Sequence, residues 1–129
     1  MLPFAILKIG DTEYELKLTA KNSIALEEKL GTTIIQGLGK LDRMAVAVEF
    51  LHAALQATHP CSKAEACEIF DDYISAGGTL SEFADVITEV LIVSGFLTRA
   101  AVDEARKNQK LLEEKAKALM ENKLKAPQS

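Results

Sequence analysis

Four side chains of a type that can hold a metal fall in one stretch of this chain: His52, His59, Cys61 and Cys67. Structural zinc usually draws its cysteines from a knuckle with two to four residues between them. Here five residues separate Cys61 from Cys67, across what reads as the start of a helix. Cysteines so spaced on a helix lie on different faces, so the pattern argues against a shared metal. His52 reads instead as a packing residue of a central helix, and His59 with Pro60 as a turn. Nucleophilic catalysis needs a Ser, Cys or Thr beside a base that a third group orients. With two histidines, both near one turn, and no G-x-S-x-G or phosphate-binding glycine loop, no such set can be named. Gly37 and Gly39 lack the further glycines and the preceding strand of a nucleotide site. The adjacent Asp71 and Asp72 diverge on a helix and lack the spacing of a calcium loop, so they read as a solvated face. The chain is therefore expected to be no enzyme, with no catalytic, cofactor-binding or metal-binding residue and no cofactor.

Charge divides the chain more sharply than any motif. Residues 1–98 hold 7 Lys or Arg against 14 Asp or Glu, a net of −7, and residues 99–129 hold 8 against 5, a net of +3, which together make the −4 of the whole. An acidic body disfavours nucleic acid, because phosphate contacts require clustered cations. No run of apolar residues is long enough to span a bilayer, and the first nine residues carry neither the leading positive charge nor the cleavage site of a secretory signal. Cytoplasmic synthesis and free thiols are the expectation.

The elements that must carry any function follow from periodicity. Residues 4–18 read as a β-hairpin about Gly10 and Asp11, a two-residue turn with glycine first. In its second strand Tyr14, Leu16 and Leu18 alternate with Glu13, Glu15 and Lys17, which predicts one buried face. Thr19 or Asn22 can cap a helix that Gly31 stops. Residues 31–41 read as a break around one helical turn at Ile34, Ile35 and Leu38. Asp42 is expected to cap a helix to residue 57, with Met44, Ala47, Val48, Leu51, Ala54 and Leu55 as its stripe. Val46, Phe50 and Ala53 make it apolar on most sides, as suits the central helix of a domain. Ser62 with Glu65, and Thr79 with Glu82, have capping-box spacing and open two more helices, to Ser75 and to Gly95. Leu80, Phe83, Ala84, Ile87, Val90 and Leu91 form the stripe of the second. The predicted fold is α+β and mostly α: an N-terminal hairpin on a compact bundle of about four helices, residues 1–98, followed by a long projecting C-terminal helix.

That last segment, residues 99–129, is a charged amphipathic tail with no glycine and no proline before Pro127, rich in strong helix formers to Lys125. Disorder over part of it is left open. Ala101, Ala105, Leu112, Ala116 and Leu119 make a thin apolar stripe, too narrow for a core helix. Leu112, Lys115, Ala116, Lys117 and Leu119 are the candidate partner-binding residues. The tail's charge opposes that of the body, so docking between copies is physically reasonable and a homo-oligomer is expected.

The layout also resembles a known family. Gly10, Tyr14, Leu16, Leu18 and Thr19 of the hairpin lead into Leu26-Glu27-Glu28-Lys29-Leu30-Gly31, and a helical remainder holds Ser94-Gly95-Phe96. Over residues 5–97 this is similar to the tail assembly chaperones of long non-contractile-tailed bacteriophages and Gram-positive prophages. The resemblance implies a non-enzymatic chaperone that coats and solubilises the tape measure protein and promotes assembly of tail tube protein. It would act in the host cytoplasm and be absent from the mature virion. A different reading is a small regulatory or nucleic-acid-binding factor of a mobile element, using Lys107, Lys110, Lys115, Lys117, Lys123 and Lys125. Interleaved Glu113, Glu114 and Glu121, with no aromatic residue beyond Phe96, count against it.

Overall fold

The computed structural model describes residues 4–125, with side chains as far as Glu121. The chain divides into two compact units, Met1–Phe96 and Leu97–Ser129. The order of elements is β1 (Ala5–Ile9), β2 (Thr12–Leu16), α1 (Ala20–Leu30), α2 (Ile34–Leu38), α3 (Met44–Leu55), α4 (Lys63–Ser75), α5 (Leu80–Val93) and α6 (Arg99–Lys125). This is an α+β, mostly α fold, with a two-stranded antiparallel hairpin and a long C-terminal helix.

The hairpin pairs Ile9 with Thr12, Leu7 with Tyr14 and Ala5 with Leu16. Only Gly10 of the two turn residues takes a positive φ, +59°, which is why glycine stands first. Ala5, Leu7 and Leu16 are buried on one face while Lys8, Glu13 and Glu15 are exposed on the other. Two strands alone are marginal in water, and the chain leaving β2 is tied down by helices instead. Lys17 N–H donates to the Ala54 carbonyl of α3 at 3.1 Å, and Leu18 N–H donates to Ser94 Oγ after α5 at 2.9 Å. The Thr58 hydroxyl donates to the Glu15 carbonyl.

Side-chain caps start most helices. Thr19, Thr33, Ser62 and Thr79 each accept from the backbone N–H three residues on. At both predicted capping boxes the glutamate accepts from the cap hydroxyl instead of from the cap backbone N–H: Ser62 Oγ donates to Glu65 Oε1 at 3.3 Å, and Thr79 Oγ1 to Glu82 Oε1 at 3.1 Å. The expected cap at Asp42 is not made. Helix α3 starts from Arg43 with no side-chain cap, because Gly39, Lys40 and Arg43 N–H groups bond three residues back and carry the chain through tight turns past Asp42. Nor does α3 reach residue 57. Thr58 and His59 both donate to the Leu55 carbonyl, which closes the helix and leaves the Ala54 carbonyl free for Lys17.

Helix α3 is the core of the first unit, packed against α1, α4, α5 and β2. Between Ala47 and Leu55 every residue except His52 is buried. Phe70 meets Phe83 edge to face at 5.1 Å, joining α4 to α5. Met44, expected in the stripe of α3, is 52% exposed because it is the first residue of the helix, before the helix enters the core. Tyr14, Leu80 and Ala84 are half-buried rather than core. Tyr73 folds back over Gly78 and donates its hydroxyl to the Thr79 carbonyl at 2.9 Å. Burial and the nearby Glu82 charge push its phenol up.

Two substitutions test this packing. Val48, 7% exposed, has no partner for a carboxylate, so Val48→Asp should cost several kcal/mol against a total stability of roughly 5–15 and unfold the domain. A Cβ on Gly78 would sit 2.4 Å from the Tyr73 ring, so Gly78→Ala should destabilise by about 1–3 kcal/mol. Chemical denaturation followed by circular dichroism measures both, and a wild-type midpoint for either would contradict the packing described.

Candidate functional site

Helix α6 is built locally. Thr98 caps it, its Oγ1 accepting from Ala101 N–H at 3.1 Å, and 27 residues dense in Ala, Glu, Lys and Leu continue it for about 40 Å at 1.5 Å per residue. From Asp103 to Glu121 every side chain is exposed. Large apolar residues are included: Leu111 is 48% exposed, Leu112 67%, Leu119 68% and Met120 67%. Four such side chains within ten residues make a row that water covers at a cost.

At about 100° per residue, Leu112, Lys115, Ala116 and Leu119 share one face, at the i, i+3, i+4, i+7 spacing by which amphipathic helices meet partners. Lys117, nominated with them, lies roughly 150° round the helix from the Leu112–Leu119 line. Three of its four neighbours one turn away are Glu113, Glu114 and Glu121, the fourth being Met120, so it belongs to the charged face. Leu111 and Met120 were not among the nominated residues; they flank the Leu112–Leu119 line about 90° to either side, Leu111 on the side of Lys115. Their positions, one turn before Lys115 and one turn after Ala116, were the available signal.

The metal-capable residues are arranged for packing. His52 Nε2 faces the Cys61 carbonyl at 3.0 Å, which requires the hydrogen on that nitrogen and occupies it. Gln56 Nε2 donates to the His52 carbonyl at 2.8 Å and to the Cys61 carbonyl at 3.0 Å, clamping the α3–α4 connection. The Cys61 thiol is pushed up by burial and by Glu65, which Gln56 only partly offsets, so it is a poorer thiolate than an ordinary cysteine. His59 lies edge-on against Tyr14 at 5.4 Å, and Cys67 is exposed. Among the described residues no three or more His, Cys, Asp or Glu side chains are grouped to hold a metal ion.

One charged residue lies where sequence reasoning did not look. Glu49, in the middle of α3, is 7% exposed. Its carboxylate makes no hydrogen bond of good geometry but is paired with Lys63 at 2.6 Å, and Lys29 stands 3.9 Å away. The pair joins α3 to the start of α4, and Lys29 brings in the end of α1. The Glu49 carboxylate in turn raises the Lys63 pKa. The cleft beside it, between α1 and α3, holds about 60 Å³, against the several hundred that a small-molecule site needs. Compared with family models, curated proteins and solved structures, the chain matches none.

Removing a lysine should expose the cost of the buried carboxylate. Lys63→Met is expected to lower Tm, and Glu49→Met added to it should restore most of the loss, since paired apolar groups need no counter-charge. Equal melting of the single and double variants would show that the ion pair has no structural weight.

Proposed function

We propose that this chain is a non-enzymatic assembly chaperone of a phage tail, which coats and solubilises the tape measure protein and promotes tail tube assembly in the host cytoplasm without remaining in the mature virion. The observation that supports the reading is the apolar row on α6, held out to water on a helix of about 40 Å. A side chain kept exposed in this way is suited to an amphipathic helical client, whose own apolar stripe needs cover until it is packaged. The similarity of the hairpin and the Leu26 to Gly31 segment to tail assembly chaperones points the same way. Several copies along one client would associate through opposite charge, the body carrying −7 and the tail +3. The acids around Lys117 make α6 a poor track for phosphates, which weighs against the nucleic-acid reading.

Co-expression of the tape measure protein with this chain tests the proposal. The full chain should raise the soluble yield, and Leu112→Asp with Leu119→Asp should abolish the gain while leaving the thermal transition unchanged, because both positions are exposed. Truncation after Thr98 should have the same effect on yield. Undiminished solubility with the truncated chain would remove α6 from the mechanism; no solubilisation by any form would sink the chaperone reading for this client.

A further inference from the structure

The apolar face of α6 carries a charge that its own helix does not answer. Lys115 stands in the middle of the row, and its four neighbours one turn away are Leu111, Leu112, Ala118 and Leu119. The other basic residues described on α6 are placed differently. Lys117 has Glu113, Glu114 and Glu121 at three or four residues, Lys110 has Glu113 and Glu114, and Lys107 has Asp103 and Glu104. Of the lysines of α6 whose side chains are described, Lys115 alone has only apolar neighbours at that spacing. Exposed to water it costs nothing. Any helix that covers Leu111, Leu112 and Leu119 must also remove water from around this ammonium.

Its position also discriminates between partners. The apolar patch around it runs from Leu111 to Leu119, and Lys115 is at its midpoint. A parallel in-register pair of α6 helices from two copies would therefore set Lys115 against Lys115. An antiparallel pair centred on that patch would do the same, since its twofold axis passes at Lys115. Both symmetric ways of covering the row with a second α6 bring two like charges into a drying interface, which is unfavourable. A carboxylate at the facing position reverses the sign and supplies the missing hydrogen-bond acceptor.

From this charge complementarity we propose that the α6 face selects an amphipathic helix of another protein that bears a glutamate or aspartate within its apolar seam, opposite Lys115, in preference to the α6 of a second copy. The proposal deepens the reading of α6 as a client-binding helix and rests on it. It makes Lys115 a specificity-determining residue: the leucines bind any apolar stripe, and the lysine rejects those without an acid at the right position.

The test uses the full chain and synthetic helical peptides, so it does not depend on the tape measure protein. Three probes suffice: an amphipathic leucine-seam peptide with glutamate at its central seam position, the same peptide with lysine there, and the peptide of residues 99–125 of this chain. By titration calorimetry or fluorescence anisotropy the glutamate peptide should bind about tenfold or more tighter than the other two. Lys115→Glu should invert the order of the two designed peptides, and Leu112→Asp should abolish binding of both. Equal affinity for the glutamate and lysine peptides, an order unmoved by Lys115→Glu, no binding of any peptide, or binding of the 99–125 peptide as tight as that of the glutamate peptide would overturn the proposal. A chain that prefers the glutamate peptide yet fails to solubilise tape measure protein would leave this selectivity standing and remove only the phage client.

Discussion

Helix α3 has no water-facing side for most of its length, and the rest of the first unit follows from that constraint. Nine consecutive residues, Ala47 to Leu55, contain only one that is not buried. A helix apolar on all sides gains nothing until every side is covered. One layer cannot do so, and α1, α4, α5 and β2 all pack on it. The hairpin is held in the same way. Its exit is hydrogen-bonded to the Ala54 carbonyl, which is available because α3 closes early on the Leu55 carbonyl. A strand with too few partners of its own is thereby fixed by the end of a helix nearly forty residues later in the chain.

Burial of α3 also explains why its one charge is tolerated. Glu49 would be costly to desolvate alone. Lys63 and Lys29 reach it from the start of α4 and the end of α1, each with its own ammonium partly in water. The exposed lysines bear little desolvation themselves, and their long apolar stems span the distance to the core. The arrangement orients three helices about one carboxylate, something that apolar packing alone, which has no preferred direction, does less well.

The second unit obeys the opposite rule. Unit one buries most of its large apolar side chains, with Ile24, Ile35, Met44, Ile74 and Phe96 left exposed, and carries an excess of acids, whereas α6 displays leucines and a methionine beside a net excess of bases. Helix propensity and a Thr98 cap are enough to form α6 locally, and from Asp103 to Glu121 its side chains are not committed to a core. The Cys61 thiol of the first unit is pushed up by burial and by Glu65, away from thiolate reactivity. Recognition needs a rigid helix, an apolar row and one misplaced charge. The chaperone proposal and the proposed role of Lys115 both rest on those three features.

Much of this molecule was legible in its residues alone. The hairpin about Gly10, the caps at Thr19, Ser62 and Thr79, the central position of α3 and the extent of α6 are all set by interactions within a few residues or by apolar periodicity, and so they can be read locally. The apolar stripe through Leu112, Ala116 and Leu119 came from the same periodicity, whereas Lys117, nominated with them and Lys115, falls on another side of the helix. Tertiary structure decided what depends on partners distant in sequence. Asp42 loses its cap because the turns after α2 fix where α3 begins, and Met44 is left in water for the same reason. Glu49 is buried only because α1 and α4 deliver lysines to it, and His52 and Cys61 become a packing clamp because Gln56 and the start of α4 meet there. Local free energies select an element; which of its polar groups can be buried is settled by the groups that other elements bring to them.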